Sequence, residues 1–500
     1  MRRPHPALLA GLLLVAVGVA PALAGPPAGH GGGQGNGGGQ ATGGRAFGSS
    51  VFVDGQDASG GGEPSIRATT DGILYVTAPI GLGSGGVPRV IDSDDTQQVR
   101  GGDMLWRSTD GGATWRELGS YDGAVGGGDS DITSTPGGTL FASGLTLACI
   151  TLARSTDKGQ SWVTNPLGGC GGSVVDDRQW NDTYGEDVAY TAFGNTALGA
   201  IQVSRADVLA GVAQGDPPAT VSGDTEYQWP GVLDVDQRNG SVYVGWNTVG
   251  DPNDCDQGCA APASSVQPDE IRAAVLDAGG APVAGSPFLV ASRPFDTFDS
   301  FVSVDTGRDG TVYAVWSERH PEAGETWTML ASSLDGGHTW TAPTRVNAGP
   351  ATTVFPWVSA GDAGRVAVSY YGTSARGASP EVVNGDWSVF SALSTDGGST
   401  FDESKETGTI HQGAICTSGT GCASGTRDLL DFFETDYDPQ GCLVTTYTDN
   451  ARDVVAADGT RTTDEPTHVA FVRQTSGPGL LATTDCGGDA PGKVKGPRSG

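Results

Sequence analysis

The sequence predicts an all-β protein, a β-propeller of seven four-stranded blades. Three observations predict it. Gly is abundant, at 81 of 500 residues, and no long helical pattern follows the first segment; Gly weakens helices and suits short strands joined by tight turns. An eight-residue pattern recurs four times. A longer strand–turn–strand unit recurs seven times at a spacing of roughly 50 residues, within the propeller range.

Residues 1–24 read as a signal peptide. Arg2 and Arg3 give the positive end, Ala7 to Val19 the apolar stretch, and Ala22-Leu23-Ala24 the small-residue cleavage site. That run is short for a membrane span, and no later stretch approaches the ~20 apolar residues a span needs, so a secreted protein, cleaved near Ala24 and without a membrane span, is expected. Residues 25–46 form a Gly-rich linker that cannot make a core, 47–485 hold the propeller, and 486–500 form a C-terminal tail.

The propeller segment opens on Ser50-Val51-Phe52-Val53, which is expected to become the outer strand of the last blade beside residues 468–473 and so close the ring. Closure removes an edge that otherwise invites aggregation. Seven units follow, at 63–76, 131–141, 178–190, 228–244, 301–313, 355–368 and 431–444. Each is an apolar strand, a Gly or Asp turn, and a second strand of the Val-Tyr type.

The eight-residue pattern is Ser-x-Asp-x-Gly-x-Thr/Ser-aromatic. It occupies Ser108 to Trp115 with Asp110, Ser155 to Trp162 with Asp157, Ser333 to Trp340 with Asp335, and Ser394 to Phe401 with Asp396. About three repeats separate the second copy from the third, so the third and fourth blades lack it. Asp before Gly reads as a tight turn in which the carboxylate accepts turn amides and the Ser and Thr hydroxyls add bonds. The closing aromatic is expected to pack into the core of its own blade.

These octets resemble the Asp-box, or BNR, repeat of the sialidase superfamily. The resemblance implies that each box joins the two outer strands of a blade, away from the ligand face, and that its aspartate is scaffold. In that superfamily three arginines hold the substrate carboxylate, a Glu-activated Tyr is the nucleophile and an Asp is the acid/base. An Arg-Ile-Pro-like motif enters the first blade. Here that segment reads Glu63-Pro64-Ser65-Ile66-Arg67, so the motif is missing. Tyr370, Tyr371 and Tyr447 are the candidate tyrosines, and Arg178, Arg319, Arg376 and Arg427 the candidate arginines; none sits in a recognisable family motif.

Propeller ligands generally meet the loops that enter the inner strands. The candidate binding residues are therefore Glu63, Asp131, Asp177, Arg178, Trp180, Trp229, Glu318, Arg319, Trp357, Tyr370, Arg427 and Asp431, with Asp129, Glu226, Asp299 and Asp428 near them. Aromatic faces with Arg and carboxylates suit sugars. Arg178 beside Trp180 reads either as a carboxylate fork next to a stacking platform or as an internal Asp–Arg pair.

The formal charge of −30 opposes nucleic acid and anionic lipid. Eight cysteines fit an oxidising compartment and suggest the local pairs Cys149–Cys170, Cys255–Cys259, Cys416–Cys422 and Cys442–Cys486. Zinc at Cys255 and Cys259 is disfavoured because no His lies near. No cofactor is expected; calcium is conceivable at Asp92-Ser93-Asp94-Asp95 or between Asp251 and Asp256, though neither is a full loop pattern. A monomer is expected. Three functions stay open: a secreted propeller that recognises glycans or other extracellular polymers at the central channel, an exo-acting glycosidase of sialidase type, and a structural or protein-interaction propeller.

Overall fold

The computed structural model describes residues 44–55, 61–80, 90–93, 96–99, 102–122, 127–146, 149–165, 168, 176–195, 198–207, 217–222, 227–249, 269–297, 301–417, 422, 427–450, 467–483 and 485–487. Among them the structure is all-β, with one 3₁₀ turn at Pro380–Val382 and no α-helix. No helix among these residues is long and apolar enough to cross a membrane.

The strands form antiparallel meanders set around a central channel, a β-propeller. Strands Ser65–Ala68, Ser130–Ser134, Asp176–Tyr184, Tyr227–Val235, Ser303–Thr306, Thr352–Ala360 and Glu434–Tyr437 each begin a meander, and residues of all seven line the channel. Short loops between successive strands favour antiparallel pairing, and the apolar faces pack between neighbouring sheets. Leu74, Val76 and Trp106 of the first sheet meet Val444, Val469 and Phe471 of the last, for example.

Seven separate blades are not what the hydrogen bonding gives. Among the described residues there are five separate sheets of four or five strands, one sheet of nine, and a two-stranded sheet of Val90–Ser93 with Thr96–Val99. In the nine-stranded sheet two consecutive meanders are joined by a parallel bridge, Thr326 to Thr352. The fourth strand of the first of these meanders, Thr344–Arg345, is two residues long and covers only the middle of Glu325–Ser333. The uncovered end pairs with the next meander, where Thr353 Oγ1 donates to the Thr326 carbonyl at 3.1 Å.

Segments Ala46–Phe47 and Val51–Phe52 both pair antiparallel with His468–Ser476 of the last sheet. Arg45, fully buried, donates to Ser391 Oγ at 3.0 Å and to the carbonyls of Ser391 and Asp402 at 2.7 and 3.0 Å, on the nine-stranded sheet.

The four octets share one hydrogen-bond scheme. In the first, Thr114 N and Oγ1 donate to the two oxygens of Asp110 at 2.9 and 2.6 Å, Ser108 Oγ donates to Asp110 at 2.8 Å, and Gly112 N donates to Ser108 Oγ at 2.9 Å. Each octet joins the third and fourth strands of its meander. The bonds from Ser161, Thr339 and Thr400 hold Asp157, Asp335 and Asp396 down to about 2.

The closing aromatics pack in clusters that join residues of their own sheet to residues of the preceding one. Trp115 meets Phe471 at 5.1 Å between ring centroids and Trp162 meets Tyr121 at 5.3 Å, while Trp340 and Phe401 pack with the clusters around Tyr243 and Tyr313. Each octet is thus a staple between neighbouring sheets.

Cys416–Cys422 and Cys442–Cys486 are bonded, and Cys149 is in a disulfide. Cys170, the Cys255–Cys259 pair and the calcium candidates between Asp251 and Asp256 lie outside the described residues, as do Asp94 and Asp95.

Candidate functional site

The channel is bounded by a circuit of hydrogen bonds between inner strands, most of them made by side chains. Ser65 Oγ donates to Asp131 at 2.8 Å, and Asp131 in turn accepts from Asn181 N. Asp182 accepts from Thr133 Oγ1 and from Val235 N at 3.0 and 3.1 Å. Val232 N donates to the Val302 carbonyl at 2.9 Å, and Asp305 accepts from Ala360 N at 2.6 Å. Ser359 Oγ donates to the Thr435 carbonyl at 2.7 Å, and Glu434 and Asp436 accept from Ile66 N and Ala68 N at 3.0 and 2.8 Å. A carboxylate is suited to this place because it accepts several N–H and O–H groups and donates none.

At one end the channel is plugged. Arg178, Phe355, Leu430 and Glu63 all have positive φ, between 51° and 59°, where inner strands enter. Such a backbone is strained for non-Gly residues and is commonly found at functional sites. Two residues beyond the first three stand Trp180, Trp357 and Phe432. Trp180 and Phe432 pack with Phe301 and Val232 in one cluster, against which Trp357 lies half-buried. Trp180 meets Phe301 and Phe432 at 4.9 and 5.8 Å.

A charged cluster adjoins the plug. Arg178, buried, lies 4.9 Å from the Phe301 ring, pairs closely with Asp431, and stands 3.7 Å from both Glu63 and Asp129. Arg427, with 22% of its side chain exposed, pairs with Glu63 at 2.8 Å and with both oxygens of Asp431. Burial drives the Glu63 carboxyl well above its usual range despite Arg427. Burial also acts on Asp431, but Arg178 and Arg427 outweigh it and hold that carboxyl below its usual value. Burial raises Asp177, with Arg178 opposing it.

The structure therefore brings Glu63, Asp177, Arg178, Arg427 and Asp431 together with Asp129, and places Trp180 and Trp357 on the plug. Arg178 pairs with acidic residues of the chain, and Trp180 is buried. Asp131 lies deeper, in the channel wall. Trp229 is on the strand Tyr227–Val235, and Glu226 and Asp299 lie outside the described residues.

The remaining candidates are apart from this cluster. Glu318 is fully buried and accepts from Arg293, from Trp316 Nε1 at 2.9 Å, and faces His320 at 3.3 Å. Arg319 pairs with Asp296 at 3.1 Å and Arg376 with Glu325. Tyr370 donates to Glu403 at 2.6 Å, Tyr447 donates to Ser50 at 2.6 Å, and Tyr371 accepts from Thr448 N at 3.0 Å. All three tyrosines are fully buried, and burial raises the pKa of each. No three arginines converge on any of them among the described contacts.

Sequence reasoning missed Phe301 and Phe432 as plug residues and Arg67, Asp182, Asp234, Asp305, Glu434 and Asp436 as channel wall. A usable signal existed: Asp182, Asp234, Asp305 and Asp436 each stand inside an inner strand just before its turn.

These wall groups carry a pH prediction. Burial pushes Asp131 up to about 6 and Asp305 up to about 7, above the ~3.9 of an unfolded Asp. The folded state then holds their protons more tightly, so their contribution is complete below about pH 4 and is lost as pH rises through 6–7. Thermal stability is expected to fall between about pH 4 and 7, and Asp305→Asn to flatten that slope. An unchanged slope in the variant would contradict the assignment.

No family model matches the chain, and no curated protein does. Among solved structures, a protein of unknown function from Dyadobacter fermentans is 14% identical, with 87% of this chain and 98% of that one covered and a TM-score of 0.45. An α-L-arabinofuranosidase of Fusarium graminearum is 15% identical over 70% of this chain and 93% of that one, TM-score 0.42. A sialidase described as Hadza microbial is 13% identical, covering 75% and 77%, TM-score 0.40.

Proposed function

We propose that this is a secreted glycan-binding propeller whose ligand face is the plugged end of the channel, and that it does not perform sialidase chemistry. The observation that carries this is the state of the arginines. Arg178 and Arg427 are already matched by Asp431, Glu63 and Asp129, so a sialoside carboxylate would find no uncompensated guanidinium there. Hydroxyl groups, which both donate and accept, suit the mixed Arg–carboxyl rim of Arg427 and Asp177. A neutral oligosaccharide is the favoured ligand.

In this reading the leader is removed near Ala24. The segment Arg45–Val53 fastens the ring, the octets are Asp-box scaffold, and the protein acts as a monomer.

Purified mature protein is expected to bind neutral oligosaccharides in a glycan screen without hydrolysing fluorogenic sialosides. Arg427→Ala should weaken binding about tenfold or more, as loss of a charged hydrogen bond does, while Tyr370→Phe should leave it unchanged. Sialoside turnover abolished by Tyr370→Phe would overturn the reading. A second reading, an exo-acting glycosidase, draws on Glu63 and Asp431, whose environments push their pKa values apart as in acid/base pairs. Turnover of neutral glycosides lost in both Glu63→Gln and Asp431→Asn would favour it.

A further inference from the structure

We propose that the opposite, open end of the channel binds a linear ligand carrying primary ammonium groups, of the alkyl polyamine class. Two cavities lie in series there. A narrow one of about 90 Å³ runs along the mid-channel, and a wider one of about 450 Å³ leads from it to the surface. They share Arg67, Asp182, Asp234, Asp305 and Asp436. The wider cavity is rimmed by the inner-strand turns, where Thr70, Gln237, Arg238 and Arg308 are exposed.

The charge inside is one-sided. Asp131, Asp182, Asp234, Asp305, Glu434 and Asp436 line the two cavities, and Arg67 is the cation among them. At the mouth Arg238 is held by Asp236 at 2.8 Å and Arg308 stands 3.5 Å from Asp362, so neither is directed at the deep carboxyls by these contacts.

A second observation, independent of the acidic composition, points to a ligand. Glu434 is only 4% exposed and borders the narrow cavity, yet its Oε1 has no hydrogen-bond partner, while Oε2 accepts from Ile66 N. Asp234 Oδ2, in the same wall, is likewise without one. Buried carboxylate oxygens left unmatched are costly, and an ammonium offers three donors and no acceptor. An alkyl chain suits a cavity of about 90 Å³ better than the bulkier ring of a sugar does. Among the described residues no three acidic, His or Cys side chains gather closely enough to hold a metal ion; the carboxyls are spread around the wall, which suits charges spaced along a chain.

Burial raises the pKa of these carboxyls. An ammonium among them favours their ionised form, so amine binding should release protons. The test is calorimetric titration of the mature protein with spermidine at pH 7 and about 0.15 M salt, where exposed charges are screened beyond ~8 Å. It is run in two buffers of different ionisation heat.

Saturable binding with proton release is expected, weakened at least about tenfold in Glu434→Gln and in Asp234→Asn, and unchanged in Tyr370→Phe, whose hydroxyl bonds Glu403 outside both cavities. Both substitutions keep an amide oxygen in place of the acceptor, and circular dichroism checks the fold. Equal affinity in the Glu434→Gln/Asp234→Asn double variant would mean condensation on the acidic surface and would overturn the proposal. So would an absence of binding at millimolar spermidine, or displacement of spermidine by calcium at lower concentration, which would make the occupant a divalent cation.

Discussion

Replacing Arg178 with leucine is expected to destabilise the protein by about 3–5 kcal/mol, the range for breaking a buried ion pair from one side. Arg178 is buried among Asp431, Glu63 and Asp129 and lies over Phe301. Its removal leaves these carboxyls with Arg427, whose side chain is partly exposed. The leucine would pack against Phe301 but could neutralise nothing. Urea unfolding at pH 7 measures the loss as a shift of midpoint at constant slope.

The pH dependence separates charge from packing. The arginines hold Asp431 below its usual value, so its contribution is present above the unfolded value of ~3.9 and lost as pH falls below it. The gap between wild type and variant should therefore be widest near pH 7 and narrow toward pH 3. A loss under about 1 kcal/mol at pH 7, or a gap that does not change with pH, would show that the cluster is not held electrostatically.

Gly112→Val is the other large effect. Gly112 has φ +90°, and a Cβ there would lie 2.0 Å from the Phe471 ring. Two costs combine: a left-handed backbone on a β-branched residue, about 1–2 kcal/mol, and overpacking against a buried ring, about 1–3 kcal/mol. A total of about 2–5 kcal/mol is expected. Trp115, which packs on the same ring and donates its indole N–H to the Gly112 carbonyl at 3.1 Å, should lose its fixed environment. Gly397→Ala is the comparison, because φ there is +75° with nothing near the added carbon; it should cost only the backbone part. Chemical unfolding gives both numbers, and equal costs would refute the steric argument.

Much of the fold is legible in the chain because its signals are local. An octet such as Ser108 to Trp115 contains both partners of nearly every hydrogen bond it makes, so its turn can be read directly. The inner strands are legible for a similar reason, each being an apolar run ended by a Gly or Asp turn. What escapes is decided between sheets. That Trp115 reaches Phe471, or that Thr326 bridges to Thr352, depends on residues far apart in the chain.

The candidate site is legible only in part. Glu63, Asp177, Arg178, Arg427 and Asp431 do assemble, since all lie where inner strands begin. The tyrosines mislead because Tyr370, Tyr371 and Tyr447 look free in sequence, yet each has a hydroxyl partner in Glu403, Thr448 or Ser50. The carboxyl wall was overlooked because an Asp inside an apolar strand reads as ordinary alternation until seven such strands share one axis.

The pairing of Ala46 with Ser476 and Val51 with Phe471 sets an order of events during synthesis. A chain emerging from its first residue presents this edge segment early and its partner His468–Ser476 only when nearly all the rest has been made. Until then Ala46–Phe47 and Val51–Phe52 have no strand to join, and the sheet beside them has an open edge of the kind that seeks other chains. These pairings are contacts of very long sequence separation, which are formed slowly. A product ending before residue 468 would keep every octet and still lack the strand that both segments require.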